Sequence, residues 1–98
     1  MEQQKFSKLK TYLGFATKSG SLQYGSDNIS GRARLVIASS DLSEGSLSKL
    51  IQKCEKSRLN FKVLDSKVCD ELFKTGVKVI SIENSNLANA IYQLMEEI

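Results

Sequence analysis

The residues best suited to chemistry in this chain are polar and basic side chains crowded into its first third. They are Lys18, Gly25, Ser26, Asp27, Asn28, Arg32 and Arg34. Lysine and arginine neutralise phosphates, and the carboxylate and amide of Asp27 and Asn28 could bond to the edge of a guanine base. A helix that begins near Ser26 would also present free backbone N–H groups and a positive dipole end. The pattern favours contact with a phosphate backbone over covalent chemistry.

The stretch from Gly25 to Asn28 also has a plainer interpretation, as an Asx-type turn that only connects two elements. Residue types alone do not choose between the two. Later loops add polar residues after predicted strands, and in an open α/β sheet such loops gather beyond the carboxyl ends of the strands. Ser39, Ser40 and Lys67 could therefore join the same site, although serine and aspartate also cap helices.

Catalysis is not expected. The chain has no histidine, which removes the commonest general base near neutral pH and the commonest metal ligand. The adjacent carboxylates Asp70 and Glu71 do not face one another on a helix. No glycine-rich phosphate-binding motif is present. We therefore expect no catalytic residue, no metal site and no cofactor.

Composition predicts a single domain over residues 1–98, with 41% hydrophobic residues. No apolar run approaches the roughly 18 residues that span a bilayer, and the N-terminus is not typical of a secretory signal. We therefore expect a cytoplasmic protein in which Cys54 and Cys69 are reduced, with a disulfide as the lesser alternative.

Charge is distributed unevenly around a net value of +3. Residues 1–34 contain six basic and two acidic residues, about +4, whereas residues 35–98 contain eight basic and nine acidic residues, about −1. This asymmetry indicates an anionic partner at one face. A solvated, lysine-rich first helix is the alternative explanation.

Hydrophobic periodicity predicts strands that alternate with helices. Apolar residues at helical spacing indicate a first helix from about Gln4 to Lys18, which Gly20 ends. The elements predicted after it are a strand at 21–24, one or two helical turns at 25–31, a strand at 33–38, a helix to about residue 56 that begins at a capping box of Asp41 and Glu44, a strand at 61–64, a helix from Asp65 or Ser66 through Phe73, a strand at 77–82, and a last helix capped by Asn84 or Ser85. This order predicts a three-layer α/β/α sandwich.

Two stretches carry a resemblance that extends from about Lys8 to Ile91. They are LGFATKSGSLQYG, at residues 13–25, and GRARLVIASSDLSEGSLSKLIQKCEKSRLNFKVL, at residues 31–64. Their order resembles the kink-turn RNA-binding superfamily of ribosomal proteins, which includes the large-subunit proteins L-seven-Ae and L-thirty-e and small stand-alone bacterial relatives. The resemblance implies a small mixed four-stranded sheet between helices. It also implies binding to an RNA internal loop that contains sheared G·A pairs.

Carried over by position, the resemblance places residues 25–28 in the recognition turn, residues 39–41 in a second contact loop and residues 64–67 in a third. The chain departs from the family at the turn, where Gly-x-Asn-Glu is replaced by Gly25-Ser26-Asp27-Asn28. Aspartate cannot donate to a base, and it repels phosphate. The segment before Gly31 is also shorter by about five residues, more than one turn of helix.

These observations predict a non-catalytic RNA-binding protein whose partner is ribosomal RNA or another structured RNA, alone or within a ribonucleoprotein. Lys18, Arg32 and Arg34 would neutralise phosphates. The alternatives are a protein-interaction module that kept the scaffold, and the RNA-binding part of a methyltransferase whose catalytic domain is a separate chain. A continuous positive surface over the three loops would favour RNA, and an exposed apolar patch of several hundred Å² would favour the interaction module.

Overall fold

The computed structural model describes residues 2–96, over which helices alternate with strands. The elements are α1 Gln3–Lys18, β1 Leu22–Tyr24, β2 Leu35–Ser39, α2 Glu44–Lys56, β3 Asn60–Leu64, α3 Ser66–Leu72, β4 Val79–Ile82 and α4 Ser85–Glu96. A 3₁₀ turn, Ser26–Asn28, lies between β1 and β2. The predicted α/β class and order of elements are confirmed, with boundaries that shift by one or two residues.

The sheet has four strands in the order β1-β4-β2-β3 and is mixed. β2 pairs in parallel with β3, whereas β4 runs antiparallel to both β1 and β2. As a result, β1, β2 and β3 all end at one edge of the sheet, where β4 begins. We call this edge, beyond Tyr24, Ser39 and Leu64, the strand-end edge. The opposite edge lies beyond Leu22, Leu35 and Ile82, which are aligned across the sheet.

Helices cover both faces of the sheet, which confirms the three-layer sandwich. Leu35 and Ile37 of β2 belong to the core cluster that includes residues of α1, α3 and α4. Val36 and Ala38 belong to the cluster on the α2 face. Successive strand side chains point to opposite faces, and all four are fully buried because both faces are covered. This explains why the strand is an unbroken apolar run in the sequence.

The N-terminus of α2 differs from the prediction. The Ser46 N–H donates to Ser43 Oγ at 3.2 Å, so Ser43, not Asp41, is the capping residue. The predicted capping box of Asp41 and Glu44 was wrong because Asp41 lies too early and its carboxylate bonds elsewhere. At the next two helices the predicted caps are confirmed: Asp65 accepts from the Lys67 N–H, and Asn84 accepts from the Leu87 N–H.

Both cysteines are free and buried, on opposite faces of the sheet. This confirms the expectation of reduced thiols. Burial raises the pKa of the Cys54 and Cys69 thiols, which disfavours their thiolate forms. Over residues 2–96, no helix is long and apolar enough to cross a membrane.

Candidate nucleic-acid interface

The residues that the sequence analysis groups into a single surface lie at opposite edges of the sheet. The strand-end edge carries Gly25, Ser26, Asp27, Asn28, Ser39, Ser40 and Lys67. The opposite edge carries Lys18, Arg32 and Arg34: the Arg34 N–H donates to the Ile82 carbonyl at 2.8 Å, and α1 ends at Lys18 just before β1 begins. About 20 Å of extended chain separates Arg34 from Ser40. The expectation of a single site over the loops was therefore wrong for these three cations, because β2 spans the sheet between them.

The Gly25–Asn28 turn is held by hydrogen bonds of its own. Gly25 has φ 90° and ψ 150°, a backbone conformation that is almost restricted to glycine. Its N–H donates to the Val79 carbonyl at 2.8 Å, and the Asn28 side-chain amide donates to the Tyr24 carbonyl at 2.7 Å. Asn28 therefore fixes the turn, while its carbonyl oxygen and the exposed Asp27 carboxylate stay available to a ligand.

The expected helix N-terminus at Ser26 is not formed, because the segment makes only a three-residue 3₁₀ turn. Ten residues connect β1 to β2, too few for a helix and the chain that must return to the sheet. The short segment thus forms a single 3₁₀ turn. Any recognition at Asp27 must rest on the side chain and the rigid turn, not on a helix dipole.

Ser39 is not open to a ligand. Its side chain is 2% exposed, and its hydroxyl donates to the Asp41 carboxylate. Asp41 also pairs with Lys78, with Nζ and Oδ2 3.2 Å apart. The Ser39 hydrogen bond, followed by that of Lys78, lowers the pKa of Asp41. The prediction of Ser39 as a contact residue was wrong because the hydroxyl is needed to hold the loop.

Ser40 and Lys67 remain accessible at the strand-end edge. Ser40 Oγ accepts from the Ser66 N–H at 2.9 Å, which ties the loop after β2 to the loop after β3 and leaves the hydroxyl hydrogen available. Lys67 is exposed, at the start of α3.

Two cations of this edge were missed by the sequence reasoning. Lys78 immediately precedes β4. The Nζ atom of Lys74 lies over the ring of Tyr24, 4.7 Å from the ring centroid. Only the antiparallel direction of β4 brings their segment to this edge, and residue types do not reveal it.

The strand-end edge has a nearly balanced charge. Its cations are Lys67, Lys74 and Lys78, and its acids are Asp27, Asp41, Glu44 and Asp65. A continuous positive surface over the three loops, the feature that would favour RNA at this edge on charge alone, is not present. Contacts here are therefore suited to hydrogen bonding and shape more than to phosphate neutralisation.

A second set of exposed cations, separate from the lysines of α1, lies along α2. Segment 25–34 runs beside this helix, and two clefts of about 250 and 180 Å³ lie between them. Lys49 and Lys53 line the first cleft, and Lys53 and Arg34 line the second. Because Lys53 belongs to both, the clefts lie end to end. We call them together the α2 groove.

In the described part of the chain, the large exposed apolar side chains are Phe15 on α1 and Val63 on β3, 53% and 45% exposed, and they lie on different elements. In the same range, no group of three or more cysteine, aspartate or glutamate side chains could hold a metal ion.

The fold and the gathered loops define a small α/β sandwich with polar turns at one edge of its sheet. No protein-family model matches this chain, and no curated protein matches it. Among solved structures it is similar to a protein with unknown function from Bacillus halodurans C, with 24% sequence identity and a TM-score of 0.80. The match covers 91% of this chain and 97% of that chain. At this identity the likeness shows the fold alone.

Proposed function

We propose that this protein is a non-catalytic, cytoplasmic RNA-binding protein that recognises structured RNA, kink-turn-like or ribosomal, at its strand-end edge. One observation carries the proposal: the topology gathers the Gly25–Asn28 turn, Ser40 and Lys67 at a single edge, although they come from three separate loops. Sequence-specific RNA recognition targets unpaired bases in loops and bulges. A cluster of short, polar, well-held loops fits such a target.

The chemistry of the turn suits the edge of a guanine base. Guanine presents N–H donors on its pairing edge, and the exposed Asp27 carboxylate offers two acceptor oxygens. The Asn28 carbonyl oxygen adds a further acceptor, while its amide holds the turn. Because the turn is already fixed in the unbound protein, binding loses little entropy in ordering it.

Phosphate contacts at this edge would come from Ser40 and Lys67, with Lys74 and Lys78 beside them. Lys78 is already paired with Asp41, so it would share its charge between the carboxylate and a phosphate. Base contacts would therefore supply selectivity here, and only a modest part of the affinity would be electrostatic.

The test is binding of the full chain to a kink-turn RNA and to a plain duplex, each over a salt series. We expect the kink-turn RNA to bind about a hundredfold more tightly, about 2.7 kcal/mol. Asp27→Ala should weaken kink-turn binding by about 5- to 150-fold, the range of 1–3 kcal/mol for a good base contact. Asp27→Asn is the matched control: it removes the same charge but installs the residue of the Gly-x-Asn-Glu pattern, so it should retain kink-turn binding.

Each other outcome has a definite meaning. Equal and steeply salt-dependent binding of both RNAs would show that cations bind phosphates without recognising a kink-turn. Identical affinities for wild type, Asp27→Ala and Asp27→Asn would remove the turn from the interface. No binding of either RNA at low salt would overturn the proposal and favour the protein-interaction module.

A further inference from the structure

We propose that the α2 groove is a second contact surface for the same RNA, a phosphate-binding track that holds a helical arm extending away from the strand-end edge. This inference rests on the proposed function, since it concerns the same RNA. It goes further because it assigns binding to Lys49 and Lys53, which lie outside the predicted site, and gives Arg34 a place on a different surface.

The spacing along α2 places two cations on one side of the helix. Lys49 and Lys53 are four residues apart, so they are neighbours one turn apart with a rise of about 6 Å. Both line the groove, as does Ser46 one turn earlier. The cations therefore follow the axis of the helix and do not diverge around it.

The opposite wall of the groove supplies the third cation. Arg34 lines the same cleft as Lys53, and its guanidinium bonds within the chain to the neighbouring Ala33 carbonyl at 3.4 Å. Over residues 2–96, neither Arg34, Lys49 nor Lys53 forms a salt bridge, whereas Lys62 and Lys78 do. The groove cations can therefore bind a phosphate without first breaking an ion pair.

Among the described residues that line the groove, Asp27 is the one acid, against the cations Arg34, Lys49 and Lys53. Asp27 lines its end at the 3₁₀ turn. At the far end, Glu83 accepts a hydrogen bond from Ser30 Oγ at 2.7 Å, which occupies part of that carboxylate. Glu55 is exposed on α2. Asp27 at one end of the groove would bind a base, and the cations farther along the groove would bind phosphates.

The groove leads from one edge of the sheet to the other. α2 begins near the strand-end edge and has 13 residues, about 20 Å of helix. Segment 25–34 forms a 3₁₀ turn and a second turn at Gly31 and Arg32, and it contains no α-helix that would fill the groove. An RNA held at the strand-end edge would thus find cations along α2 in the direction in which a duplex arm could extend.

The experiment compares two kink-turn RNAs that differ only in one arm, which is either cut short beside the internal loop or extended by a full helical turn. The variant Lys49→Gln/Lys53→Gln removes two charges, and its matched control, Lys8→Gln/Lys10→Gln, removes two exposed charges from α1 on the other face. Lysine and glutamine have similar helix propensities, so both variants should fold with unchanged melting temperatures. Affinity is measured over a salt series for the full chain.

We expect Lys49→Gln/Lys53→Gln to weaken binding of the long-arm RNA about tenfold and to reduce its salt slope by about 1.8, the value for two lost phosphate contacts on a duplex. Its affinity for the short-arm RNA, and that of the control variant for both RNAs, should change by less than about twofold. Arg34→Gln should reduce the long-arm slope by roughly a further 0.9. Equal losses of affinity in the two double variants would overturn the proposal of a phosphate-binding track. Equal effects of Lys49→Gln/Lys53→Gln on the long-arm and short-arm RNAs would overturn it as well.

The failures of the two proposals can be told apart from the wild-type protein alone. If wild type prefers the kink-turn RNA but gains nothing from the long arm, the proposed function stands and the track is wrong. If wild type binds long-arm RNA and long duplex equally, and Lys49→Gln/Lys53→Gln lowers both slopes, the track stands without kink-turn recognition. If wild type binds none of the RNAs, both are wrong.

Discussion

At the strand-end edge the polar side chains bond mainly to one another, whereas along the α2 groove the cations have no ionic partner over residues 2–96. Ser39 bonds to Asp41, Asp41 to Lys78, and Ser40 to the backbone of the next loop. Lys49 and Lys53 instead stand exposed on a helix. The first region is a rigid, nearly neutral framework, and the second is an accessible run of positive charge.

This difference teaches that the residue type and the availability of a group are separate properties. A serine or aspartate in a loop after a strand is a fair candidate for a ligand contact, but three such groups here are used to fix the loops. A lysine on a helix is usually a solvated residue, but two of them line a groove with an arginine across it. The two proposals therefore assign binding selectivity and binding strength to different regions.

The largest effect on the strand-end framework should come from Gly25→Ala. At φ 90° and ψ 150° an alanine is strained, so we expect a loss of about 1–3 kcal/mol in the free energy of unfolding. Gly45→Ala is the matched control on α2, where a Cβ would meet open space, and it should stabilise the protein by about 0.5–1 kcal/mol. Urea unfolding measures both, and changes of the same sign would contradict the assigned turn conformation.

A smaller loss of stability should result from removing the side chain that caps α2. Ser43→Ala removes the acceptor for the Ser46 N–H and should cost about 1 kcal/mol of stability. Ser48→Ala, at an exposed position inside the same helix, should instead be neutral or stabilise the protein by a few tenths of a kcal/mol. If Ser43→Ala and Ser48→Ala had equal effects on thermal unfolding, Ser43 would not be the residue that caps α2.

The smallest effect concerns the protonation of Asp41. Its pKa lies below the ordinary value of 3.8, chiefly because Ser39 donates to the carboxylate and then because Lys78 does. Since the folded value is the lower one, ionised Asp41 stabilises the fold above the unfolded value. That contribution is lost as the pH falls through the folded value. An NMR titration should show the Asp41 pKa rising toward 3.8 in Ser39→Ala, and an unchanged value would show that this hydrogen bond is unimportant.

Much of the fold could be predicted from local patterns. The spacing of Leu9, Leu13 and Ala16 indicates α1, and all three are buried. Gly20, at φ 73°, ends that helix as predicted. The unbroken apolar run of β2 indicates a strand covered on both faces, because only a central strand can bury every side chain.

The candidate site could be predicted only in part, because it depends on directions that the sequence does not encode locally. The antiparallel direction of β4 brings Lys74 and Lys78 to the strand-end edge. The length of β2 carries Arg34 to the other edge. Ser43 caps α2 in place of Asp41, because the Asp41 carboxylate bonds to the nearby Ser39 and to Lys78, which is distant in sequence.

The sequence by itself determined which groups this protein can use: lysines, arginines, hydroxyls and carboxylates, with no histidine, on strands and helices set by hydrophobic period and glycine positions. Only the tertiary structure decided which of these groups are occupied and which lie together. Period and turn chemistry act between residues a few positions apart. Ion pairing, strand direction and the opening beside α2 arise between segments that are brought together only when the sheet forms.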